Sequence, residues 1–286
     1  MAIFALLLKN RETVFTRISK YLVITLFSLS LSAQNHEIGL SVGATNFLGD
    51  VGNYGIDVPR GLFGQFQYRY SLQQYYGIRA AGSFGRVEGR DEWSSLEERV
   101  QRNLSFRSEV WDVKLLLEIN FFRFVPQSKT YNKTFYIFGG LGIFGYEPEA
   151  FYIDEWVALR PLGTEGQATP LSRQNSYGQT DLIFPFGFGY KHAFNEHWQF
   201  QLEFMAHSTR TDYLDDVSGN YVNANDLAQF NGPVAAALSD RSLLPADRSN
   251  YARGNPDNND WYFYTGIGLI WRFTSNREVC ARFWDR

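Results

Sequence analysis

The chain has 286 residues, 17% of them aromatic (25 Phe, 17 Tyr and 7 Trp), together with 25 glycines, yet its mean hydropathy is only −0.29. No run of about 18–20 uncharged apolar residues occurs, which excludes a bundle of spanning helices. A net charge of −3 without a basic block gives nucleic acid no electrostatic footprint, and a single cysteine, Cys280, excludes an internal disulfide framework and a cysteine-rich metal site.

Residues 1–33 read as a signal peptide. Lys9, Arg11, Arg17 and Lys20 form a positive leader, Tyr21 to Leu31 an apolar stretch too short to span, and Leu31-Ser32-Ala33 a signal-peptidase site. Its removal takes away four basic residues and one acidic residue, leaving 23 against 29 and a net charge of −6. The mature protein is therefore expected to be exported and acidic.

From His36 onward the dominant period is two. Eight strands are predicted near 37–48, 61–71, 74–88, 103–122, 133–146, 181–192, 196–211 and 260–273. In the fourth, Trp111, Val113, Leu115, Leu117, Ile119 and Phe121 share one side; Asp112, Lys114, Leu116, Glu118 and Asn120 share the other. Successive side chains of a strand point to opposite faces, so each segment has one greasy and one polar face.

A soluble sandwich alternates in the same way. Three features separate the two cases. The segments exceed the roughly five or six residues usual in soluble sheets. Ionisable residues (Arg79, Lys114, Glu118, Glu203, Arg272) stand mid-strand on the polar face. Finally, the long connections 49–60, 89–102, 147–180 and 212–259 alternate with the shorter 72–73, 123–132 and 193–195. Together these predict an all-β fold: an eight-stranded antiparallel transmembrane β-barrel over residues 34–273, with four long extracellular loops and a short periplasmic C-terminal tail, 274–286. It is expected in the outer membrane of a Gram-negative bacterium, both termini periplasmic, in contact with outer-membrane lipid. Its lumen is expected to hold Gln65, Gln67, Arg69, Lys191 and Gln201 with the five ionisable residues above, paired as a plug rather than spaced as a pore.

Candidate chemistry is sparse. His207, Ser208 and Asp212 lie together in sequence, but adjacent strand residues face opposite ways, so a nucleophile–base pair is not expected there. No Gly-x-Ser-x-Gly elbow occurs. Thr211 to Gly219 is rich in aspartate but lacks the glutamate that closes an EF-hand loop. No catalytic residue, metal or cofactor is expected. The tail is more informative: Cys280 either pairs with another chain or stays a free thiol, and Arg277, Arg282, Phe283 and Trp284 resemble a docking patch. Lys129, in the connection 123–132, offers a second periplasmic contact.

Three segments resemble the PorG-like outer-membrane proteins of the Bacteroidota type IX secretion system. They are His36 to Asp50 (HEIGLSVGATNFLGD), Arg102 to Arg107 (RNLSFR) and Thr211 to Ser218 (TDYLDDVS). The resemblance implies a non-enzymatic structural component of that protein-export machinery, docking on the periplasmic ring of PorK-like lipoproteins and PorN-like partners and positioning it beneath the outer membrane. The alternative from another class is a small-solute channel or a surface-binding barrel.

Overall fold

The computed structural model describes residues 36–273 apart from 54, 56, 57, 173, 174 and 245. The signal-peptide stretch and the tail with Arg277, Cys280, Arg282, Phe283 and Trp284 lie outside the described residues.

Nine strands form: β1 (His36–Leu48), β2 (Gly61–Ser71), β3 (Tyr76–Arg90), β4 (Ser105–Asn120), β5 (Lys133–Tyr152), β6 (Glu155–Ala158), β7 (Thr180–Ala193), β8 (Trp198–Thr209) and β9 (Trp261–Arg272). Eight of them pair antiparallel in a ring, each with its sequence neighbour. β4 pairs with β5, and β1 returns to β9 through registers running from Glu37–Arg272 to Leu48–Trp261. The result is a closed eight-stranded antiparallel β-barrel. β6 stands apart as a short ribbon on the far end of β5, pairing Glu149–Ala158 to Tyr152–Glu155.

Side chains alternate in and out as the sequence period demands. On β4, Trp111, Val113, Leu115, Leu117 and Ile119 are exposed, while Asp112, Lys114, Leu116, Glu118 and Asn120 are buried. The outer surface therefore presents large apolar residues: Leu40, Leu62, Phe66, Phe84, Leu115, Leu141, Phe188 and Ile267 are each about half exposed or more. So large a greasy belt is unfavourable in water, whereas hydrocarbon would cover it. Closure leaves the barrel no strand edge for lipid to strand unpaired. No described helix is long and apolar enough to cross a membrane; the strands do the spanning.

Two expectations need correction. The predicted fifth strand stops at 146, but β5 runs to Tyr152 and turns into β6, so the first part of the predicted loop 147–180 is a hairpin. The apolar alternation fades at Glu147-Pro148-Glu149 because the ribbon has left the greasy belt, though the backbone pairing continues. The predicted loop 212–259 holds two short helices, α2 (Ala224–Asn231) and α3 (Pro233–Ser239), and 89–102 holds α1 (Glu97–Arg102). The Asn223 side chain caps α2 by accepting from the amides of Asn225 and Asp226. Two of the long connections thus hold helices, while the other rim has the short turns 72–75, 121–132 and 194–197.

Lipid exposure fixes one expected outcome. Leu115→Arg, in the middle of β4, should destabilise the barrel in vesicles by about 2–4 kcal/mol, against about 0–1 for Leu62→Arg near the rim. Urea titration of the folded fraction in lipid vesicles measures both.

Candidate functional site

Two built polar regions occupy the inside of the molecule: the lumen and a cap at the long-loop rim.

In the lumen the inward positions of different strands meet. Glu118 on β4 is fully buried, and its carboxylate faces Arg69 Nε of β2 at 2.9 Å, Arg79 Nε of β3 at 3.0 Å and Lys191 Nζ of β7 at 3.4 Å. Arg69 also reaches Glu37 at 3.0 Å, and Arg79 pairs with Glu203, which accepts from the Tyr136 hydroxyl at 2.6 Å. Further along, Lys114 Nζ sits 2.7 Å from Asp112 and donates to Ser83 Oγ at 3.0 Å. Four cations (Arg69, Arg79, Lys114, Lys191) thus stand among four carboxylates (Glu37, Asp112, Glu118, Glu203), each buried. Gln67 and Gln201 bridge the gaps, Gln67 Nε2 donating to Gln201 Oε1 at 3.0 Å. Ions taken from water into a narrow lumen persist only when so matched. A cavity bounded by Phe63, Gln65, Glu203, Met205 and Tyr264 has about 10 Å³, room for about one water.

Of the predicted lumen set, Gln65, Gln67, Arg69, Arg79, Lys114, Glu118, Lys191, Gln201 and Glu203 come together in this network. Arg272 stands at its edge, at the short-turn mouth, partly exposed and beside Glu37 in a cavity of about 210 Å³, because it is the last residue of β9 and the lumen opens there. The sequence reading missed Glu37 and Asp112, which supply half of the anionic charge. Their inward parity in β1 and β4 is the signal that could have found them.

His207 also turns inward. Its ring stacks on Tyr262 at 4.1 Å and lies 3.0 Å from Lys114 Nζ, while Ser208 belongs to the opposite face of β8. Among the described residues no group of three or more His, Cys, Asp or Glu is arranged to hold a metal ion. Lys129 is exposed on the turn 121–132. That turn folds its Phe124 under the lumen, where Lys191 Nζ lies 5.0 Å over the ring.

At the opposite rim two arginines knit all four long connections. Arg102 grips Asp91 with Nε–Oδ2 at 2.8 Å and Nη2–Oδ1 at 2.9 Å, and donates to the carbonyls of Asp50 and Arg253 at 2.6 Å each. Arg253 donates to Glu165 Oε1 at 3.0 Å and to the carbonyls of Asp216 and Ser239. Glu165 in turn accepts from the amides of Ser218 and Gly219 at 3.0 Å. Asp215 accepts from Val51 N at 3.0 Å, and Asp260 from Leu214 N at 2.9 Å. The segments 36–50, 102–107 and 211–218, distant in sequence, therefore meet in one place, Asp50 beside Arg102 and Val51 beside Asp215.

The cap concentrates acids. Burial pushes Asp212 up to about 9, with the Asp215, Asp50 and Glu165 charges adding to the effect. Burial raises Asp260, Asp215 and Asp50 in the same direction.

These two regions generate two expectations. Glu118→Gln removes the carboxylate shared by three buried cations and should cost about 3–5 kcal/mol, read as a lower urea midpoint for the barrel. In the cap, Asp212 holds a proton in the folded state between its ordinary 3.8 and about 9, where the unfolded chain would have lost it. The stability it contributes is complete below the ordinary value and is lost as pH rises through the folded value. Proteolytic nicking within 212–259 should therefore accelerate from pH 6 to pH 9, and Asp212→Asn should flatten that rise.

A comparison with curated proteins finds no match. Solved structures of similar layout include neisserial surface protein A, NspA (8% identity, 83% of this chain and 97% of that chain, TM-score 0.41). Others are Ail, the attachment invasion locus protein of Yersinia pestis (10%, 84% and 99%, 0.38), and the outer membrane protein OprG of Pseudomonas aeruginosa (10%, 83% and 96%, 0.34). Residues 16–232 match the family described as Domain of unknown function (DUF6089), and since that match takes in most of the chain, the protein belongs to this family.

Proposed function

We propose that the protein is a structural barrel of the outer membrane that anchors the type IX secretion machinery, docking with its short-turn rim on the periplasmic ring of PorK-like lipoproteins and PorN-like partners. The observation that carries this reading is the sealed interior. A lumen filled by Arg69, Arg79, Lys114 and Lys191 among their carboxylates, under a cap that ties all four long connections together, leaves little room for a solute among the described residues. Such a barrel serves by what its rims hold. The greasy belt supports residence in a bilayer, and short turns on the periplasmic side with long loops outside is the orientation bacterial barrels adopt. The resemblance of the three segments to PorG-like proteins supplies the partner class. Their convergence on the cap adds that these segments form one structural unit rather than three unrelated matches.

A surface-binding barrel is the second reading. It is favoured by the cap itself, which is more structured than a loop set needed only to close hairpins.

The docking reading is tested by affinity purification in mild detergent. The full chain should bring the periplasmic ring proteins with it. A chain lacking 274–286 and carrying Lys129→Glu should stay folded, by its heat-dependent gel mobility, and lose them. Ring proteins recovered at undiminished levels would remove the tail and the turn as the dock, and their absence from the full-chain sample would remove the anchoring role.

A further inference from the structure

Between the 91–104 connection and the 210–260 connection lies a cavity of about 640 Å³, within the size range of small-molecule sites. Its wall mixes polar and apolar surface in about equal parts. Arg99, Arg102, Arg248 and Arg253 line it, against the two acids Glu98 and Asp247, both of which are exposed. Two of the arginines are held rigid from behind, Arg102 by Asp91 and Arg253 by Glu165, so their positions carry no ordering cost on binding. Arg248 is less confined. It pairs with Asp240 at 3.1 Å, and its side chain remains about one-quarter exposed.

Tyr221 adds a second and independent observation. It lines the same cavity, the residue is 4% exposed, and its hydroxyl has no hydrogen-bond partner. An unsatisfied buried hydroxyl is unfavourable, and a guest that drew the Tyr221 side chain toward the cavity would satisfy it. Tyr251 stands at the edge of the cavity, 69% exposed, and is tied to Tyr221 through the backbone: Tyr221 N donates to Tyr251 O at 2.9 Å. An exposed ring on a pinned backbone is a flat platform beside a donor-lined hollow. A neighbouring cavity of about 250 Å³ shares Tyr221 and Arg248 and adds Asn223, Asn225 and Asp240, which lengthens the hollow into a groove.

We propose that this groove binds an acidic saccharide: a sugar bearing carboxylate, sulfate or phosphate seated with its oxyanion toward Arg248 and the Tyr221 hydroxyl and its ring on Tyr251. Guanidinium groups present forked N–H donors that match planar or tetrahedral oxyanions. The four arginines argue against a cation, and the mixed wall suits a guest with both a charged group and a ring face. The position, on the rim farthest from the short turns, suits a ligand met in solution or on a surface. The site is separate from the docking rim and stands whether or not the ring-binding reading does.

Intrinsic fluorescence titration of the full chain in detergent micelles tests the assignment. The probes are an oligogalacturonate, a sulfated disaccharide and a neutral galacto-oligosaccharide of matched length. Saturable binding of an acidic probe is expected, at least tenfold tighter than the neutral one, and which acidic probe prevails separates carboxylate from sulfate recognition. Arg248→Ala and Tyr251→Ala should each weaken it at least tenfold, with the heat-dependent gel mobility of the barrel unchanged. Lys129→Ala at the opposite rim should leave it as it was. Equal affinity for the neutral probe, undiminished binding by both variants, or no binding up to millimolar concentration would each overturn the assignment.

Discussion

A sheet closed on itself within hydrocarbon has only one dry place for its ions, and that is its own axis. Everything else in this molecule answers to that constraint. With Leu, Phe and Trp committed to the outside, the inward positions of eight strands must either be small, be apolar, or cancel one another's charge. Here they cancel. Glu118 sits where side chains from β2, β3 and β7 converge, and a single carboxylate takes the charge of two guanidiniums and an ammonium. Each partner is displaced from water by the others, so the group stands or falls together; an isolated member would be far more costly than the set.

The cap follows a different logic. It lies beyond the belt, where water is near, and its arginines bind backbone carbonyls as much as carboxylates. Arg102 takes the Asp50 and Arg253 carbonyls, and Arg253 takes those of Asp216 and Ser239. Long connections expose many backbone groups that no ladder satisfies, and a five-donor side chain can satisfy several at once. The acids around them are less fortunate. Asp212 and Asp260 each keep one carboxylate oxygen without a hydrogen-bond partner, and burial raises both above the ordinary carboxylate range.

How much of this the sequence disclosed depends on distance along the chain. Strand positions and facing were legible because a period of two is local: the inward set of β4 is readable from Asp112 to Asn120 alone. The lumen network was legible in membership for Arg69, Arg79, Lys114, Glu118, Lys191 and Glu203, since mid-strand ions on a polar face have nowhere else to go. Its pairings were not, because Arg79 and Glu203 are 124 positions apart and only the closed register brings them together. The place of Arg272 at the mouth was not legible for the same reason: facing is local, but depth along the axis depends on strand tilt. The cap was illegible. Arg253 and Glu165 sit in stretches without periodicity, and nothing local distinguishes them from solvated loop residues. The β6 ribbon escaped notice because strand pairing continues where the greasy period ends.

The seam between β1 and β9 has a consequence for biogenesis. The strand that opens the ring can find its second neighbour only in the strand that closes it, more than two hundred positions later. Until Trp261–Arg272 arrives, both lateral margins of the sheet are raw, and in a bilayer raw margins are intolerable. Assembly therefore has to be postponed to the end of synthesis and completed in one concerted step, with the nascent polypeptide shielded meanwhile from its own kind.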